Sequence, residues 1–134
     1  IPDKGEMGLQ FFHVDDLCRF IEVLIDKKPE QKIFNVGNKD SVTIKEWADL
    51  CYKAAGKEMK SISVSSSEHT QRDYFPFHAY EYMLDVSAML SLMPYTKPLS
   101  DGLREEYMWY IKNKDEVYKK KYIEYINNNI LCTK

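Results

Sequence analysis

The 134-residue sequence predicts an α/β fold whose sheet is incomplete. Two observations carry this. Apolar residues recur at helical spacing, most regularly at Leu17, Phe20, Ile21, Leu24 and Ile25. Short β-branched or aromatic runs lie between such stretches, and the order opens with a helix leading into a strand, which is half of a βαβ unit. Its remaining strands are expected from outside the chain. The opening on Ile1, followed almost at once by a buried-looking pattern, adds the expectation of a piece of something larger.

Residues 1–10 read as loop, with Gly5 and Gly8, and 11–14 as a short extended run. Asp15 and Asp16 offer an N-cap and first-turn carboxylates to the first helix, which Lys27-Lys28-Pro29 closes. Residues 32–36 read as a strand ended by Gly37-Asn38. Thr43-Ile44-Lys45-Glu46 is a capping box, followed by a helix with Ile44, Trp47, Leu50, Cys51 and Ala54 on one side and Gly56 as its stop. Ile62 and Val64 alternate with serines as a half-buried strand does. Residues 65–77 are irregular, and 80–84 form a further short strand. Asp85 caps a brief helix with Val86, Met89 and Leu90 inward, and Pro94 and Pro98 bracket a loop. A helix from Ser100 or Asp101 carries Leu103, Tyr107, Tyr110 and Ile111 on one face. After Asn113-Lys114-Asp115 a last helix carries Val117, Tyr118, Tyr122, Ile126 and Ile130. The sum is a few short strands and about five helices.

Composition narrows the function classes. With 44% hydrophobic and 30% charged residues the chain has the balance of a folded domain. A net charge of −2 gives no global field to attract nucleic acid or anionic lipid, so neither is an expected partner. The basic run Lys119-Lys120-Lys121 reads as a solvated helix face. No apolar run approaches the ~20 residues of a membrane span, and the polar opening is not a signal peptide. Three widely spaced cysteines, Cys18, Cys51 and Cys132, argue against a disulfide framework and for a reducing cytoplasm. Cys18 and Cys51 fall on apolar helix sides and read as small core residues. No Cys/His set has metal spacing, so no metal site is expected.

Phe12-His13-Val14-Asp15-Asp16-Leu17, then Ile33-Phe34-Asn35-Val36-Gly37, then Val42-Thr43-Ile44-Lys45-Glu46 form an ordered set. It resembles the second half of the extended short-chain dehydrogenase/reductases, the NAD-dependent nucleotide-sugar epimerases and dehydratases. Phe75-Pro76-Phe77, Leu84-Asp85-Val86-Ser87 and Leu99-Ser100-Asp101-Gly102-Leu103 resemble the closing part of a branch holding bacterial epimerase-like and chloroplast stem-loop-binding proteins. The likeness runs to about residue 113. It implies the carboxy-terminal portion of a Rossmann-type protein. Residues 1–64 would hold the last helix and strand of the nucleotide-binding sheet with the first part of the substrate lobe. Residues 65–134 would hold the rest of that lobe and the terminal helices. NAD(P) is implied for the full-length parent, and a nucleotide sugar or other small sugar for its substrate. The missing amino-terminal half, and a second copy in a homo-oligomer, are the implied partners.

No cofactor-binding or catalytic residue is expected within the chain. Gly5-Glu6-Met7-Gly8 has neither the strand before it nor the helix after it that a phosphate-cradling turn needs. Tyr110 and Lys114 match the family's Tyr/Lys spacing only by chance, on a terminal amphipathic helix. Two arginines that the resemblance implies for diphosphate binding are Leu9 and His78 here. Gln10 matches the stem-loop-binding branch, as a hydrogen-bonding group toward substrate. Asn35 stands at a strand end facing the expected ligand crevice. Arg72 and His78, with His69 and Tyr74, lie in the irregular stretch where binding residues gather. Gln10, Asn35, Arg72 and His78 are therefore the substrate-binding candidates, while His13 reads as structural and Asp15, Asp16 and Thr43 as caps. The competing reading is a degenerate relative that binds RNA or protein, favoured by the lost arginines and opposed by the acidic pI of about 5.9.

Overall fold

The computed structural model describes residues 1–118 and 120–131, so Lys119 and Cys132 lie outside the described residues. Helix α1 (Val14–Lys27) starts at His13, whose Nδ1 accepts the Asp15 backbone N–H at 3.2 Å. Asp15 and Asp16 therefore sit inside the first turn rather than at the cap, where they meet the helix's positive end. Lys28 closes the helix in the left-handed region at φ 47, its N–H bonded to the Leu24 carbonyl. Phe20 is 2% exposed and meets Phe34 edge-on at 5.4 Å, in a core completed by Val86, Met89 and Met93. The other half of the α1 stripe is bare: Val14, Leu17, Ile21 and Ile25 are exposed. Cys18 is exposed too, which corrects its reading as a core residue, whereas Cys51 is partly buried.

The one sheet among the described residues pairs β1 (Gly8–Leu9) antiparallel with β2 (Val42–Thr43). The first of these falls where loop was expected. Helix α2 (Ile44–Ala54) follows directly, and its capping box is as read from the sequence. The Thr43 hydroxyl accepts from the Glu46 N–H at 3.1 Å, and the Thr43 N–H donates to the Glu46 carboxylate at 2.8 Å. Gly56, just beyond its end, takes φ +66. Ile44 is buried in a second core with Leu9, Val64, Tyr74 and Phe75. Both cores draw on residues from either side of residue 64.

Three expected strands do not form. Residues 32–36 run without a ladder partner, leaving Ile33 83% exposed. Of 62–64, only Val64 bridges, to Pro2. Residues 80–84 are fastened by side chains instead: the Gly8 N–H donates to Glu81 Oε1 at 2.6 Å and the Leu84 N–H to Gln10 Oε1 at 2.9 Å. A strand exists only as one side of a hydrogen-bonded pair, and beyond the single Val64–Pro2 bridge these segments have no ladder partner among the described residues.

The later elements are helical. A short α3 (Gln71–Tyr74) was not anticipated. Helix α4 (Ser87–Leu92) starts where Asp85 Oδ1 accepts the Ser87 N–H at 2.9 Å, with Val86 and Met89 buried and Leu90 half-buried. Helix α5 (Leu99–Asn113) begins after Pro98 and packs on α2. Its outer half exposes Met108, Trp109, Tyr110 and Ile111, so Tyr110 and Ile111 are not the core residues their spacing suggested. Val117 and Tyr118 precede the last helix rather than belong to it. That helix, α6 (Lys121–Tyr125), widens into a π-turn (Ile126–Leu131) and lies on α3, with Ile126 and Ile130 against the second core. No helix among the described residues is long and apolar enough to cross a membrane.

Candidate functional site

A cleft of about 290 Å³ opens between β1 and the segment after α3. Its geometry begins with two neighbours on that one-turn helix. Gln71 turns inward, 9% exposed, and its amide donates to the carbonyls of Phe77 (3.2 Å) and His78 (3.0 Å). Arg72, the next residue, is exposed and lines the cleft. The turn that Gln71 holds is braced by rings. Phe77 meets Phe11 at 5.9 Å, Trp47 at 5.4 Å and Phe75 at 5.7 Å, all edge-on. Beyond it an aromatic shelf forms: His78 stacks on Tyr80 at 5.1 Å, and Tyr80 meets Tyr82 edge-on at 5.0 Å. The Tyr82 hydroxyl donates to that of Tyr80 at 3.3 Å. This bond, with some desolvation and the neighbouring phenol, pushes the Tyr80 pKa up against the pull of Arg72.

Three of the four candidate residues, Gln10, Arg72 and His78, line this one cleft. Gln10 is largely committed, its amide donating to the carbonyls of Asn38 (2.9 Å) and Leu84 (3.2 Å) while Oε1 accepts from the Leu84 N–H. It clips three segments together and keeps one oxygen lone pair for a ligand. Asn35 lies elsewhere, exposed, donating to the Asp85 carbonyl at 3.0 Å. Leu9, where the resemblance implies an arginine, is buried in the core and gives the cleft an apolar wall. Tyr80 and Tyr82 were missed. Their alternation with His78, every second residue of an extended stretch, was the available signal.

A second cluster joins α1 to α5. The Lys97 ammonium bonds the carboxylates of Asp15 (2.9 Å) and Glu105, and the Lys97 N–H donates to Asp16 Oδ2 at 2.6 Å. Asp16 is fully buried and also takes the Arg19 guanidinium. The hydrogen bond and charge of Lys97 hold Asp15 below the usual carboxylate range, and the bonds to Glu105 and Asp15 raise Lys97 above its ordinary value. His13, Asp15 and Glu105 bring possible ligand atoms within 4.8 Å of one another, but Lys97 already supplies the positive charge between the carboxylates. Gly102 is buried here, and a Cβ on it would stand 2.9 Å from His13 Cδ2. The cluster is a clasp between the His13–Leu17 and Leu99–Leu103 motifs.

The glycines near the chain start do not suit a dinucleotide. Gly8 is a strand residue opposite Thr43 with its N–H on Glu81, and the Gly5 N–H is bonded to the Pro2 carbonyl, so neither glycine amide is open to a phosphate.

No protein-family model matches the chain. It is 33% identical over 105 residues to a probable GDP-L-fucose synthase of Oryza sativa subsp. japonica, covering 78% of this chain and 30% of that protein. A GDP-L-fucose synthase of Arabidopsis thaliana is 34% identical over 105 residues with the same coverage. The chain thus spans about 30% of the length of the curated relatives it matches. Among solved structures, dTDP-glucose 4,6-dehydratase from Bacillus anthracis str. Ames in complex with NAD superposes with a TM-score of 0.63 at 22% identity, over 86% of this chain and 35% of that one. UDP-glucuronic acid 4-epimerase from Bacillus cereus, also with NAD, gives 0.61 at 22%, over 84% and 33%. Identity this low speaks for the fold, and the fold is that of a Rossmann-type protein. Motifs, relatives and fold converge: the chain belongs to the extended short-chain dehydrogenase/reductases, related to their nucleotide-sugar epimerases, dehydratases and reductases.

Proposed function

We propose that this chain is the substrate-holding lobe of an NAD(P)-dependent nucleotide-sugar epimerase, dehydratase or reductase, and that it brings no catalytic group of its own. One observation carries the reading: a guanidinium and an aromatic shelf line the same cleft, over an apolar floor of Leu9, Phe11 and Phe77. A sugar ring has an apolar C–H face that suits an aromatic ring, and its hydroxyls find the Gln10 oxygen and the Tyr80–Tyr82 pair. Arg72 meets the anionic linkage that follows the sugar. Asn35 serves indirectly, by holding the turn at Asp85. In this reading residues 1–64 complete a nucleotide-binding sheet and begin the substrate lobe, and 65–134 form the rest of that lobe with the terminal helices. The bare stripe of Val14, Leu17, Ile21 and Ile25 supports that placement, since an apolar helix face of this kind needs a sheet to cover it. NAD(P), held by the other half of the parent, would supply reversible hydride transfer, and this chain's residues bind and orient.

The test is calorimetric titration of the 134-residue chain with GDP-L-fucose, alongside the Arg72→Ala variant. Binding should weaken at least about tenfold on losing a charge-assisted contact worth ~1.5–3 kcal/mol. Unchanged binding in Arg72→Ala would place the ligand elsewhere and end the proposal.

A further inference from the structure

Arg72 lines two clefts, and the second one extends the site. Beside the sugar-sized cleft lies a wider groove of about 510 Å³, formed by Arg72, Phe75 and Pro76 on one side and Tyr118, Lys120, Lys121 and Tyr122 on the other. Arg72 and Pro76 belong to both. The groove gathers three cations on a chain of net charge −2, and no carboxylate lines it among the described residues. Its far wall comes from the terminal segment, beyond residue 113 where the family motifs end. That segment is anchored. The His69 ring nitrogen and the Tyr125 hydroxyl are hydrogen-bonded at 2.9 Å, their rings meet edge-on at 5.9 Å, and Ile126 packs on the core. Lys120 lies 5.7 Å from the centre of the Tyr118 ring, so cation and ring present one surface.

We propose that this groove receives the nucleoside diphosphate end of the ligand. The diphosphate lies between Arg72 and the Lys120–Lys121 pair, and the base lies against Tyr118 and Tyr122. The sugar crosses Arg72 into the smaller cleft. The terminal lysines then provide the charge that Leu9 and His78 do not provide inside the first cleft. The sizes agree, since a groove of several hundred Å³ suits a nucleotide and the smaller cleft a single ring. The inference rests on the substrate-lobe reading and adds a partner surface to it.

Titration of the full chain with GDP, GDP-L-fucose and free L-fucose separates the two claims. In Lys120→Ala/Lys121→Ala, GDP binding is expected to fall about fivefold to tenfold, because two exposed ion pairs each contribute up to ~1 kcal/mol. The same variant should lose most of the salt dependence between about 0.05 and 0.3 M. Its melting midpoint should stay that of the wild type, since both lysines are exposed. Tyr82→Ala should weaken GDP-L-fucose but not GDP. Wild-type GDP affinity in the double variant, with loss in Arg72→Ala, overturns the groove and leaves the substrate lobe standing. Failure of the wild type to bind either nucleotide overturns both. Lysine-dependent binding of a single-stranded RNA in preference to GDP overturns the ligand class assigned to the groove.

Discussion

Lys97 ties three carboxylates together within one small volume. Its ammonium spans Asp15 and Glu105, and its backbone N–H points at the buried Asp16. Asp15 is held below its ordinary value chiefly by the Lys97 hydrogen bond, so its folded pKa lies under its unfolded one. Such a group contributes stability above the unfolded value and loses it as pH falls through the folded one. The loss of urea stability between about pH 7 and pH 3 should therefore be smaller in Lys97→Met than in the wild type, measured as the shift in midpoint. Gly102 makes a steric prediction. A methyl there would strike the His13 ring, which cannot swing away without leaving the α1 cap. Gly102→Ala should cost ~1–3 kcal/mol, read from urea unfolding, despite the helix preference for alanine. The sequence named His13 as structural and Asp15 and Asp16 as caps, but not their union with Lys97, because side chains more than 80 residues apart leave no local pattern.

At the scale of elements, three end signals that depend on near neighbours form as the sequence reads, although the α1 cap is His13 rather than Asp15 or Asp16. The Thr43 capping box, the Gly56 stop and the Asp85 start of α4 each depend on residues within four positions of one another. The strands failed for the opposite reason. Ile33 to Val36 has the composition of a buried strand, but pairing is a property of two segments and its partner is not in the described residues. The cleft was legible to a similar extent. Arg72 and His78 stood out as polar residues in an irregular stretch. That Gln71 would hold their turn, that Tyr80 and Tyr82 would complete a shelf, and that Asn35 would stand apart depended on tertiary contacts. The motif likeness reached the family, while the curated relatives carry the name GDP-L-fucose synthase rather than that of a stem-loop-binding protein.

For the whole molecule, the distribution of apolar surface decides behaviour in solution. One side of α1 and the outer half of α5 together expose Leu17, Ile21, Ile25, Met108, Trp109 and Ile111. Faces of this kind bury themselves when they can. The chain on its own should therefore associate, with a sedimentation coefficient that rises across the micromolar range. Leu17→Glu/Ile21→Glu should suppress that rise without changing the far-ultraviolet circular dichroism. A single concentration-independent species for the unsubstituted chain would contradict this account.

The His13 ring and the notch at Gly102 also bear on inheritance. An imidazole at 13 requires the absence of a side chain at 102, although 89 positions of chain separate them. Relatives that carry a side chain at 102 should carry something smaller than an imidazole at 13, and must then cap α1 with a shorter acceptor such as serine or aspartate. Position 13 can change first and alone, but a side chain at 102 can only follow it.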